Sequence, residues 1–153
     1  YEMAFCDWSS DVCSYDLHAT WMESLDELLA TSDFVSINCP LNDESRGMID
    51  ARRIGLLKPN AYLINTSRAE VCDEDALIEA LETGRIGGAG LDVYAHEPAV
   101  NPRLLSLANV VLKPHMGSAT IEGRDATGEK VIANIRTWVD GHRPRDQVLE
   151  GLF

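Results

Sequence analysis

Four short apolar runs punctuate the chain: 34–38 (FVSIN), 61–65 (AYLIN), 88–94 (GAGLDVY) and 110–112 (VVL), each closed by a polar or turn-forming cluster. Runs this short and partly β-branched predict strands buried within a parallel sheet. Helical patterns lie between and around them. Ser24 to Ala30 opens with Ser24 and Glu27 in capping-box spacing, Asp50 to Leu57 is ended by Pro59, and Asp73 to Thr83 is ended by Gly84. Strand and helix thus repeat every roughly 22 to 28 residues, the length of a βαβ unit. That alternation predicts an α/β protein with a doubly wound parallel sheet. A longer closing helix is expected over Ser118 to Asp140, its apolar side including Ile121, Val131, Ile132, Ile135 and Val139, with Gly141 as its stop. Gly123 and Gly128 weaken its first turns.

Composition narrows the partners. The 153 residues are 45% hydrophobic and 25% charged, enough for one core and too few for two large domains. Acids number 25 against 13 Lys and Arg, and ten of those acids precede Arg46, the first basic residue. So acidic a front is repelled by phosphate backbones, which argues against nucleic acid and anionic membranes as partners. No apolar run is long enough to span a bilayer and no charged-then-apolar leader opens the sequence, so the cytoplasm is the expected compartment. The cysteines, at 6, 13, 39 and 72, lack metal-ligand spacing and read as free thiols; no metal site is expected.

In an open parallel sheet every strand ends at the same edge, and ligands bind there. The segments that follow the predicted strands are Cys39-Pro40-Leu41, Thr66-Ser67-Arg68, Asp92 to Glu97 and Lys113-Pro114-His115. An arginine, two acids and a histidine therefore converge. A guanidinium between strand and helix suits two-point binding of a carboxylate, although a surface ion pair to Glu70 or Asp73 fits Arg68 equally well. His115 lies between stiff Pro114 and Met116-Gly117. A histidine at a strand end is commonly structural, but a carboxylate such as Glu97 beside an imidazole orients it and favours its protonated form.

The blocks NTSRAEVCDEDALIEAL (65–81), GAGLDVYAHEP (88–98) and KPHMGSAT (113–120) resemble signature segments of NAD-dependent D-2-hydroxyacid dehydrogenases, and the likeness runs from about Ser24 to Val148. The resemblance implies a Rossmann-like domain with Arg68, Glu97 and His115 as catalytic residues. It also implies that Asp92 holds the nicotinamide carboxamide, while Cys39, Pro40, Thr66, Gly117 and Ser118 line the nicotinamide ribose and ring; turn and cap chemistry is the plainer reading of Cys39, Thr66 and Ser118. The activity it implies is reduction of a small 2-keto acid, in the manner of glyoxylate or hydroxypyruvate reductases. The resemblance implies that Arg68 would bind the carboxylate and that His115 backed by Glu97 would protonate the carbonyl oxygen, with the bound cofactor supplying the hydride chemistry. NADP remains open as the cofactor, and a homodimer is the assembly the resemblance implies. The alternatives are a non-catalytic nucleotide-binding corepressor or dimerisation module of the same fold, or a fragment that is inactive by itself.

The sequence departs from that pattern at its front. It contains no G-x-G-x-x-G, and the Gly88-Ala89-Gly90 run lies in a strand rather than opening a helix. Residues 7–16 (DWSSDVCSYD) resemble the conceptual translation of a sequencing-adapter oligonucleotide; the other reading is a polar loop after a strand over YEMAF. The expected organisation is a non-native or irregular segment over 1–17 followed by a truncated NAD-binding domain over 18–153, with the front of the sheet missing. Asp7 stands about where the family's ribose-binding acid follows the second strand, and in that role it would repel a 2′-phosphate. Ala69 replaces the glycine usual after the arginine.

Overall fold

A computed structural model of the chain describes residues 20–147. The expectations for 1–17, including Asp7, Cys6 and Cys13, lie outside the described residues. The chain divides into two compact units, one ending at Pro114 and one beginning at His115.

The first unit is built on β1 (Phe34–Ile37), β2 (Tyr62–Asn65), β3 (Gly88–Leu91) and β4 (Val110–Leu112). All pairings are parallel and the spatial order is β1-β2-β3-β4. Each strand falls within a run expected from the hydrophobic pattern, and the sheet is the Rossmann-like α/β arrangement expected. The monotonic order has a consequence. Right-handed crossovers that always step the same way lay their helices on one face, so these strands form a single winding of a doubly wound sheet.

The core follows from that geometry. Val35, Ile37, Leu63, Ala89 and Leu91 share one face in register and are buried with Leu28 and Leu29 of α1 (Leu25–Thr31), Ile54 of α2 (Ala51–Ile54), Leu77, Ile78 and Leu81 of α3 (Glu74–Glu82) and Leu104 of α4 (Pro102–Leu105). The alternate positions give the other face, where Phe34, Tyr62 and Val111 are exposed. Phe34 and Tyr62 stack with ring centroids 5.3 Å apart. Their neighbour in register is Gly88, where an added Cβ would lie 2.5 Å from the Asn109 carbonyl oxygen and 2.9 Å from the Tyr62 ring.

Local chemistry sets the helix ends. Ser24 Oγ accepts the Glu27 N–H, Asp50 caps α2 through the Arg53 N–H, and Asp73 caps α3 through the Ala76 N–H. After α3 the chain turns at Gly84, φ 65°, with Arg85 N–H donating to the Ala80 carbonyl and Gly84 N–H to that of Leu81. Two helices differ from expectation. α2 ends at Ile54 rather than Leu57, because the ladder tightens there to i→i−3 bonds, with Leu56 N–H donating to the Arg53 carbonyl and Leu57 N–H to that of Ile54; the Gly55 and Leu57 carbonyls beyond accept from the Arg85 guanidinium. α4 was not anticipated, although Asn101 caps it and Pro102 stands at its first position.

The second unit contains α5 (Ile121–Val139), capped by Thr120 and stopped at Gly141, φ 77°. None of its residues is buried, and Ile121, Val131, Ile132, Ile135 and Val139 are all exposed. The chain beyond folds back along it: Asn134 Nδ2 donates to Asp146 Oδ2 at 2.8 Å and Lys130 Nζ lies 3.4 Å from Asp146 Oδ1. No helix of the described residues is long and apolar enough to cross a membrane.

Candidate functional site

The strands of the parallel sheet release their loops at one edge, and the expected site residues follow them in turn. β1 leads to Cys39 and Pro40, β2 to Thr66 and Arg68, and β3 to Asp92 and Glu97; β4 leads through Lys113 and Pro114 to His115, which opens the second unit.

Arg68 sits on an exposed turn between β2 and a single 3-10 turn at Ala69–Val71. Its Nη1 donates to the Ser67 carbonyl at 2.7 Å, and among the described residues it forms no ion pair. The surface pair to Glu70 or Asp73 is therefore not made. Asp73 is engaged instead as the cap of α3. The turn is organised by Asn65, the last residue of β2. Its Oδ1 accepts from the backbone N–H and the hydroxyl of Ser67, both at 3.0 Å, while its Nδ2 donates to the Arg68 carbonyl at 3.0 Å. Sequence reasoning absorbed Asn65 into the strand; its signal was an Asn followed by Thr-Ser at a strand end, a common Asx-turn setting.

The loop after β3 was expected to continue the strand to Tyr94, but pairing stops at Leu91. Beyond it the backbone turns to side chains. Tyr94 N–H donates to Glu97 Oε1 at 3.0 Å, and Ala95 N–H donates to Glu74 Oε2 at 2.9 Å. Tyr94 itself is buried, and its hydroxyl lies 2.6 Å from the Lys113 carbonyl and 3.1 Å from that of Leu91. Burial pushes its phenol pKa up. This side chain ties the Glu97 loop to the segment leaving β4, where Lys113 N–H also donates to Leu91 at 2.8 Å. Asp92 is buried at the base of the loop, its N–H bonded to the Asn65 carbonyl at 3.0 Å.

Cys39 is buried, and desolvation raises its thiol pKa. It faces a small apolar cleft with Leu25, Ile37 and Met48. Pro40 accepts the Ser45 hydroxyl at 2.7 Å, which fixes the turn after β1. Thr66 is exposed beside Arg68. In the second unit His115 is exposed with φ 50°, left-handed backbone that is uncommon for a residue with a side chain and tends to occur where function requires it. Gly117 and Ser118 follow in the exposed turn before α5.

A family model described as D-isomer specific 2-hydroxyacid dehydrogenase, NAD binding domain, matches residues 2–117. The chain belongs to this family. The matched range takes in every strand of the sheet and extends across the 7–16 segment. Glyoxylate reductase from Thermococcus litoralis is 50% identical over 121 residues, covering 79% of this chain and 37% of the relative. Among solved structures, the NADPH-dependent glyoxylate/hydroxypyruvate reductase of Sinorhizobium meliloti in complex with NADP and malonate superposes with a TM-score of 0.85 at 34% identity, covering 91% of this chain and 44% of that one. Rhodotorula graminis D-mandelate dehydrogenase gives a TM-score of 0.86 at 30% identity over 97% of this chain and 45% of its own. This member of the D-2-hydroxyacid dehydrogenase family thus spans less than half the length of these relatives, and its fold is that of their NAD(P)-binding domain.

Proposed function

We propose that this chain is the C-terminal part of the cofactor domain of an NAD(P)-dependent reductase that interconverts a small 2-keto acid and its D-2-hydroxy acid, with glyoxylate or hydroxypyruvate as the class of substrate. The observation that carries this reading is the exposed Arg68 guanidinium, held on a rigid turn without an acidic partner among the described residues, at the edge where Asp92 and Glu97 also emerge. A planar cation left without a carboxylate of its own is suited to take one from a substrate in two parallel hydrogen bonds.

In this reading the nicotinamide half of the cofactor is held by Asp92 at the carboxamide, with Cys39, Pro40 and Thr66, and Gly117 and Ser118 of the second unit, assigned to the ring and ribose. The cofactor, when bound, supplies the hydride chemistry. The protein's own part is binding and proton management. In this reading Arg68 holds the keto acid carboxylate in two parallel hydrogen bonds. His115 gives a proton to the carbonyl oxygen, and Glu97 supports the protonated imidazole and its orientation. Asp7, which lies outside the described residues, remains the candidate for the ribose hydroxyls. The longer protein is expected to act in the cytoplasm as a homodimer on a small-molecule substrate, with neither nucleic acid nor membrane as partner.

The test is NADH and NADPH consumption by the full-length protein with glyoxylate, hydroxypyruvate, pyruvate and phosphohydroxypyruvate. Turnover well above background with at least one keto acid is expected. Background rates with all four, alongside retained NADH binding, would move the protein to the non-catalytic nucleotide-binding class.

A further inference from the structure

Asn65 is 2% exposed and lies on the core face of the sheet, in register between Ile37 and Leu91, where the hydrophobic pattern calls for an aliphatic residue. A buried amide is tolerated only if its polar atoms are paired. Its side-chain bonds run to the turn that carries Arg68: two accepted from Ser67 and one donated to the Arg68 carbonyl. They clasp the Ser67–Arg68 peptide from both sides. The same residue's backbone carbonyl accepts the Asp92 N–H, extending the β2–β3 ladder one step beyond the strands. One residue thus fixes the turn presenting the guanidinium through its side chain, and sets the height of the loop carrying Asp92 through its main chain.

We infer that Asn65 is a positioning residue for keto acid recognition: its amide aims Arg68 at the substrate carboxylate, and its substitution weakens keto acid binding while leaving the cofactor side of the site intact. This rests on the proposed role of Arg68. The separation between the two sides follows from the geometry, because a side-chain change removes the clasp on Arg68 but retains the main-chain bond to Asp92. Asn65→Asp keeps both acceptor functions toward Ser67 and turns the donor facing the Arg68 carbonyl into a second acceptor. Losing one neutral hydrogen bond and setting two oxygens against each other is expected to raise the effective dissociation of the keto acid by about tenfold.

The experiment is steady-state kinetics of the full-length protein, varying keto acid and NADH separately, for the parent, Asn65→Asp, Arg68→Lys and the double variant. The expected result is a keto acid KM raised about tenfold in Asn65→Asp with the NADH KM within about twofold, and a further effect under about twofold in the Arg68→Lys background, since Asn65 acts through Arg68. A keto acid KM unchanged in Asn65→Asp, an NADH KM raised as much, or the full penalty persisting in the double variant overturns the inference while Arg68 keeps its role. If Arg68→Lys alone changes nothing, the reading of Arg68 falls, and the role of Asn65 with it. Should Asn65→Asp fail to fold, Ser67→Ala decides by the same split. It removes only one bond to the amide from a half-exposed side chain, and a keto acid KM raised about two- to fivefold with unchanged NADH KM is expected.

Discussion

Adding one methyl group at Gly88 is expected to unsettle the sheet that carries the site. Gly88 stands at the start of β3, between β2 and β4, and an ideal Cβ there would meet the Asn109 carbonyl oxygen at 2.5 Å and the Tyr62 ring at 2.9 and 3.1 Å. These separations fall well inside the roughly 3.5 Å at which non-bonded heavy atoms are comfortable. Neither neighbour yields easily. The Asn109 carbonyl accepts the Ala89 N–H at 3.1 Å, and the Tyr62 ring is stacked on Phe34. Overpacking commonly costs about 1–3 kcal/mol, and a clash with backbone points to the upper half of that range, about 2–3 kcal/mol. Gly90, two residues on, is the control. A Cβ there meets Ile64 at 3.7 Å, an ordinary contact, and its backbone is not left-handed. Gly90→Ala should therefore be neutral or stabilise by up to about 1 kcal/mol through the unfolded chain. Urea unfolding of the two variants, followed by far-ultraviolet circular dichroism, gives the comparison. Equal midpoints for Gly88→Ala and Gly90→Ala would refute the close approach at Gly88 and the β2–β3–β4 packing deduced from it.

Other expectations concern ionisable groups. Hydrogen bonds from Arg52 and Arg53 hold the Asp26 carboxyl at about 2, against an ordinary value of 3.8. A lowered folded-state pKa means that the stabilisation is present above about pH 4 and is lost as pH falls through about 2. A carboxyl carbon chemical-shift titration of Asp26 with a midpoint near the ordinary value would contradict the pairing, and added salt should raise the midpoint because the group is exposed. Burial pushes the Cys72 thiol up to about 12. In folded protein at pH 8, Cys72 should resist iodoacetamide under conditions that fully alkylate the denatured chain. Peptide mass spectrometry reads this directly, and rapid labelling of Cys72 in the folded state would show that the core is open.

The sequence made the sheet legible because parallel strands are short, apolar and closed by turns, as 34–38, 61–65 and 110–112 are, but the expected burial holds for one face alone, since Phe34, Tyr62 and Val111 are exposed on the other. The run at 88–94 overshot the observed strand for a physical reason. Val93 and Tyr94 are apolar and buried like strand residues, yet their backbone leaves the ladder so that Tyr94 N–H reaches Glu97. Hydrophobicity reports burial, and only pairing defines a strand. Capping residues at Ser24 and Asp73 were legible because a cap acts over three residues. The stop of α2 was not, because the ladder tightens to i→i−3 bonds after Ile54, a change that the apolar pattern through Leu57 does not signal. Candidate site residues were found through topology, since a parallel sheet brings its loops to one edge. Asn65 and Tyr94 escaped because their contribution lies in where their polar atoms point from a buried position. The winding that covers a single face of the sheet could not be read either, since strand order is not written in periodicity.

The most direct test of the central claim is keto acid reduction by the full-length protein with His115→Ala and Arg68→Lys compared against the parent. The account predicts that His115→Ala lowers kcat by about 10² to 10⁴, the usual worth of a positioned acid–base group. It predicts that Arg68→Lys raises the keto acid KM and lowers kcat, because an ammonium cannot reproduce a two-point grip on a carboxylate. Parent-like kinetics in both variants would contradict it.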